Sequence, residues 1–293
     1  MDPTSQTITL SDGRILSFAE WGDMNGKPVF YFTSAEASRY SRHPDETILT
    51  SLGVHLYTFD RPGKGLSTPH KNSGLLDWAK DIREFVSQKN ITRFAMIGHS
   101  QGAIHCLACA YVFPELVSSV TAITNITGLD DEEIKANMSR YFRVQLFMGR
   151  HAPWLMTLQW NVLRLSLKGK RGEKILLNNM RSLPERDKTT FNIAGSHDVM
   201  FQSMREGLRQ GGKSITHDFC IVIGDWGFKL EDIQSKIFIW HGESDPMIPA
   251  SMSRYMAKHI PNNETTIIPE EGALLIYSQW RKILEQLLAY WKE

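Results

Sequence analysis

The stretch AMIGHSQGA carries the clearest chemical signal in the chain: Gly98, Ser100 and Gly102 take the spacing G-x-S-x-G. A serine between such glycines sits on a very sharp strand-to-helix turn, where the backbone is strained and neighbouring segments approach closely. Its hydroxyl then projects beside the N-terminus of the following helix, whose backbone N–H and dipole favour an oxyanion. Ser100 is therefore the candidate nucleophile, and Gln101, next in the chain, a candidate substrate contact. A second signal is FIWHGESDPMIP, where Asp245 follows an apolar run and precedes Pro246 and Pro249. A carboxylate at such a strand end can hold a histidine in the tautomer that accepts a serine proton. The same residue also suits an ordinary turn, since Asp-Pro favours one. Among the histidines, His99 adjoins the serine, but a neighbour in so sharp a turn is expected to point away from it. His105 falls in the next helix, and His197 and His217 lie in or near a helical segment whose position over the site spacing cannot fix.

These residues need a frame, and the hydrophobic pattern supplies one. Buried strands are expected at 15–22, 28–32, 54–60, 93–98, 117–126 and 236–242, with a last one at ETTIIP. Helical spacing follows in LLDWAKDIREFVSQK, QGAIHCLACAYVF, ASMSRYMAKHI and QWRKILEQLLAYWK. This alternation predicts an α/β fold, a central and mostly parallel sheet flanked by helices. From 130 to 220 the pattern changes to helical spacing alone, in EIKANMSRYFRVQLFMG and RGEKILLNNMRSL. A core of residues 1–129 and 221–293 with a helical cap at 130–220 is expected. Trp154 and Trp160, in HAPWLMTLQWNVLRL, are candidates for the walls of a pocket under that cap, or for the cap's own core.

Bulk properties exclude other classes. The 293 residues are 42% hydrophobic and 22% charged with a net charge of +1, so nucleic acid is not expected as a partner. No run of apolar residues is long enough to span a membrane. The start MDPTSQTITLSDGR lacks the basic and apolar regions of a signal peptide, which makes the cytoplasm the expected location. Cys106, Cys109 and Cys220 are odd in number and suit reduced thiols better than a disulfide framework. The first two share a helix face at i, i+3, where small buried side chains are expected rather than metal ligands.

Taken together, the motifs resemble the α/β-hydrolase superfamily along essentially the whole chain. DGRILSFAEWGD resembles its first hairpin, DRPGKGLS its Asp-Arg-Pro-Gly-x-Gly-x-Ser loop, GHSQG its elbow, WHGESDPMIP its acid loop and EEGALLI the segment that bears its histidine. The resemblance implies an α/β-hydrolase fold with a cap. It also implies hydrolysis of esters, lactones, amides or related bonds in a small molecule by Ser, His and an acid, without metal or cofactor.

Four departures cluster on the loops that would form the pocket. The family pattern ends in Gly-His, and here Ala273 follows Gly272. The loop after PVFYF reads TSAEASR, so that Thr33 and Ser34 stand where His-Gly helps build the oxyanion hole, with Glu36 added. Lys64 occupies the x of RPGxGxS, commonly apolar or aromatic, and Ala103 replaces a second elbow glycine. Loss of a triad histidine can lower kcat about a million-fold, so the implied activity is at most weak ester hydrolysis. Drift would scatter changes; their concentration suits replacement of function, by selection or by design. Two alternatives remain. A desolvated Lys64 amine could form a Schiff base and support retro-aldol-type carbonyl chemistry, with Thr33, Ser34, Glu36 or a water moving protons. Otherwise the chain is a non-catalytic ligand-binding protein.

Overall fold

Five strands at the centre of the sheet are buried at almost every position, because both of their faces are covered. The structure, a computed structural model, describes residues 3–167, 169 and 183–291. Its eight strands are β1 Gln6–Thr9, β2 Ile15–Gly22, β3 Lys27–Phe32, β4 Val54–Phe59, β5 Phe94–His99, β6 Val117–Ile123, β7 Lys236–Gly242 and β8 Asn263–Ile268. They form one sheet in the order β1-β2-β4-β3-β5-β6-β7-β8. Strand β2 runs antiparallel to β1 and β4, and the remaining pairs are parallel.

Alternation along β3 shows how two cores arise from one sheet. Phe30 and Phe32 face one layer with Phe59 and Met96, while Val29 and Tyr31 face the other with Leu56 and Ile97, as the two-residue period of a strand requires. Helices fill both sides: α1 Thr47–Ser51, α2 Leu75–Gln88 and α3 Gln101–Val112 come first. Trp78, Ile82 and Phe85 recur at helical spacing on α2 and bury its inner stripe. The thiols of Cys106 and Cys109 lie buried in α3, and all three cysteines are free.

Between β6 and β7 the described residues contain helices and no strand: α4 Glu132–Asn137, α5 Arg140–His151, α6 Pro153–Ser166, α7 Glu185–Phe191, α8 Ser196–Gly207 and α9 Lys213–Val222. Most of RGEKILLNNMRSL lies outside the described residues. The chain then returns to the sheet and adds α10 Ser251–His259, α11 Leu275–Ser278 and α12 Trp280–Ala289. Strand β1 and helix α1 are additions to the elements expected from the sequence. No described helix is long and apolar enough to cross a membrane.

After β3 the sheet grows outward in one direction through β4, and after β5 in the other through β6, β7 and β8. The gap beyond the carboxyl ends of β3 and β5 is therefore a topological switch point, where open α/β sheets bind ligands.

Candidate active site

Ser100 stands at that switch point, between β5 and α3, with φ +55° and ψ −121°. This is a left-handed conformation that costs a non-glycine residue about 1–3 kcal/mol, and its amide is fixed by donating to the Ile123 carbonyl at 2.8 Å. The flanking glycines explain why the turn closes. A Cβ on Gly98 would lie 2.4 Å from the Ala103 Cα, and one on Gly102 only 2.0 Å from the Phe32 carbonyl oxygen. Both positions are closed to any side chain, so the serine is held where a nucleophile elbow requires it.

A cavity of about 270 Å³ opens above the elbow, and its lining includes Ser100, Gln101, His99, Asp245 and Ala273 together with Ser34 and Glu36. Trp160 contributes a wall, and the described insertion adds Phe142, Met156, Phe191 and Phe219. Thr33, Lys64 and Trp154 are placed elsewhere. Trp154 is 69% exposed on the outer side of α6, so of the two tryptophans only Trp160 reaches the cavity.

Asp245 borders the same cavity from the loop after β7. Its Oδ1 accepts the amides of Met247 at 2.8 Å and Ile248 at 3.0 Å. Its Oδ2 is shielded from solvent and accepts no hydrogen bond from any described residue. Burial pushes the carboxyl up to about 6, and the nearby Asp187 carboxylate adds to the shift against the two amide donors. Ala273 lines the same cavity with a methyl group.

Of the other histidines considered, only His99 borders this cavity. Its ring is hydrogen-bonded to the backbone of Ala273, and burial lowers it to about 4. At neutral pH it is an uncharged and feeble base. The ring is thus engaged with the loop at 273. His105 is buried between the Gln101 carbonyl and Asp218, each at 3.0 Å. His197 packs against Phe191 and Phe201, and the His217 Nε2 lies 3.4 Å from the Ser73 hydroxyl.

Asp187, on α7, escaped the sequence reading. Its carboxylate accepts the amides of Ala273 and Leu274, both at 3.0 Å, and a Cβ on Gly272 would lie 2.2 Å from its Oδ2. Next to it, Arg186 donates to the buried Glu271 carboxylate at 3.1 Å, which Ser278 and Gln279 also contact at 2.7 Å. Two consecutive residues of the insertion thus clamp the loop that bears Ala273.

Lys64 is buried (1% exposed), and its Nζ donates to the Ala35 carbonyl at 2.6 Å and to Asp218 at 2.8 Å. Burial, helped by the adjacent Arg61 cation and opposed by Asp218, brings it down to about 8. Arg61 donates to the carbonyls of Thr33 at 2.6 Å and Ser34 at 3.1 Å and pairs with Asp218 at 2.7 Å. Burial alone would raise Asp218, yet Arg61, Lys64 and His105 hold it well below the usual carboxylate range.

This buried network orients the loop at 33–36. Three successive carbonyls point at cations, and every described peptide bond is trans. A trans peptide carries its N–H opposite its C=O, so the amides of Ser34, Ala35 and Glu36 turn away from the cations. These are the residues of the loop that border the cavity. The backbone donors of this loop therefore do not face the buried cations. Among the described residues no group of three or more His, Cys, Asp or Glu could hold a metal ion.

A family model for the alpha/beta hydrolase fold matches residues 41–278, and the chain belongs to that family. Its sequence is 28% identical over 123 residues to an ethanol acetyltransferase of Cyberlindnera fabianii, covering 41% of this chain and 36% of that protein. The chain thus matches about a third of the length of the curated relatives it resembles. Among solved structures, an esterase from a Rhodococcus species superposes with a TM-score of 0.68 at 13% identity, covering 98% of each chain. An enol-lactonase from Burkholderia xenovorans gives a TM-score of 0.66 at 12% identity, covering 97% of this chain and 99% of its own. At such identities the superpositions establish the fold.

Proposed function

We propose that this protein is an α/β-hydrolase-fold chain whose triad is disabled at Ala273, so that it binds a small molecule beneath a helical cap and hydrolyses esters weakly at most. The observation that carries this reading is the unpartnered Oδ2 of Asp245, in a cavity shared with Ser100 and Ala273. Serine, acid and candidate oxyanion donors keep their places, and the base between serine and acid is what is missing. A serine hydroxyl without a base is a poor nucleophile. What remains is the contribution of binding and oxyanion donors, on the order of a thousand-fold over water.

The test is turnover of p-nitrophenyl butyrate by the wild-type chain and by Ser100→Ala. A slow wild-type rate, lowered less than about ten-fold by the substitution, is the expected result. A rate typical of esterases that disappears in Ser100→Ala would show a working base and end this reading. The alternative with Lys64 as an amine nucleophile requires Nζ to leave both Ala35 and Asp218 before it can meet a carbonyl. No residue of the cavity lining favours it.

A further inference from the structure

The charges around the cavity are one-sided. Its described lining includes two carboxylates, Glu36 and Asp245, and no lysine or arginine. His99 adds no positive charge at neutral pH. Glu36 forms no ion pair with any described residue. The Asp245 Oδ2 is shielded and has accepted no donor, which in a folded protein calls for an explanation by strain, function or ligand. Around these acids stand Tyr141, Phe142, Trp160, Phe191 and Phe219 with several methionines. Aromatic faces attract cations, and methionines adapt to chains of varied shape.

We propose that the cavity binds an amphiphilic amine, its protonated nitrogen drawn to the carboxylates of Asp245 and Glu36 and its apolar body lying among the aromatic and methionine side chains. The inference rests on the proposed loss of the triad base, because a histidine at 273 would occupy both the space and the acceptor. An ammonium supplies the counter-charge that the described lining lacks, and a hydrogen bond between charged partners is about twice as strong as a neutral one. Glu36 adds a second negative charge to the same low-dielectric enclosure, which disfavours an anionic headgroup. A neutral alcohol of equal length would fill the apolar part and leave both carboxylates uncompensated.

Calorimetric titration of the full chain near neutral pH with octylamine, octanol and octanoate tests this. Octylamine is expected to bind at least about ten-fold more tightly than octanol, with octanoate the weakest. Asp245→Asn should abolish the preference for the amine, and Ala273→His should weaken amine binding at least ten-fold and more than it weakens octanol binding. Glu36→Gln, which breaks no observed bond, should reduce the preference by a smaller factor. Equal binding of amine and alcohol, tighter binding of octanoate, or no binding by any of the three overturns the proposal. So does an amine preference that survives in both Asp245→Asn and Ala273→His. The readout is binding alone, so a wild-type chain that hydrolyses esters briskly would defeat the proposed function in a separate assay.

Discussion

The carboxylate of Asp187, on a helix of the insertion, accepts the amide of Ala273, the residue at the histidine position, at 3.0 Å. One acid from the insertion therefore fixes the loop at 272–274, and it does so near enough to a second acid, Asp245, to raise that carboxyl further. Burial raises Asp187 as well, against the pull of the Leu274 and Ala273 amides. The loop is thereby held by two hydrogen bonds from a single carboxylate.

Asp187→Ala leaves those two amides without acceptors. A buried donor without a partner costs about 1–3 kcal/mol, offset in part by removal of a carboxylate held in a desolvated position. A loss of about 1–3 kcal/mol in urea unfolding is expected at neutral pH. Asp187→Asn, which keeps one acceptor oxygen, should recover part of it. An unchanged urea midpoint in Asp187→Ala would mean that the clamp contributes nothing.

Asp245→Asn should stabilise the fold at neutral pH. The carboxyl is raised from an ordinary value of 3.8 to about 6, so the folded chain holds the proton more tightly than the unfolded chain does. The stability linked to the protonated acid is complete below about pH 4 and is lost as pH rises through 6. At about pH 7.5 the ionised side chain then costs ~1–3 kcal/mol. Thermal unfolding of variant and wild type should diverge at that pH and converge below about pH 3.8, and equal melting temperatures at both would contradict this.

Gly102→Ala tests the elbow itself. The added methyl would sit 2.0 Å from the Phe32 carbonyl oxygen, and backbone cannot give way as a flexible side chain can. Overpacking of this kind costs about 1–3 kcal/mol and occasionally more, and here the upper end or beyond is expected. A variant with unchanged stability would mean that α3 can back away from β3.

The sequence made the frame legible because both-faces-buried strands read as continuous apolar runs: KIFIWHG was bounded at 236–242, as β7 is. Strand β1 went unseen because four half-exposed residues at a sheet edge carry too little periodicity to register. The elbow and the acid were readable since their chemistry depends on local spacing. Lys64 was expected at the rim of the cleft, but loop spacing does not reveal which face a side chain takes. Its burial depends on Asp218, contributed from 154 residues away. Asp187 had no local signal at all, because its acceptor role exists only once the insertion has folded over the loop at 272–274.

Lys64 also allows a chemical check. With Nζ held by Ala35 and Asp218, acetylacetone followed by peptide mapping should give no selective adduct there. Selective modification at Lys64 would show an amine free to attack carbonyls and revive the carbonyl-chemistry reading.

The most direct measurement is ester turnover by Ala273→His. Restoring the base beside Asp245 should raise kcat/KM for p-nitrophenyl butyrate at least about 100-fold, short of the roughly million-fold that a complete triad histidine can supply, because the 33–36 loop differs from the family pattern. The gain should vanish when Ser100→Ala is added. A folded Ala273→His chain with no gain, or with a gain that survives Ser100→Ala, would contradict the claim that this site is a serine hydrolase lacking only its base.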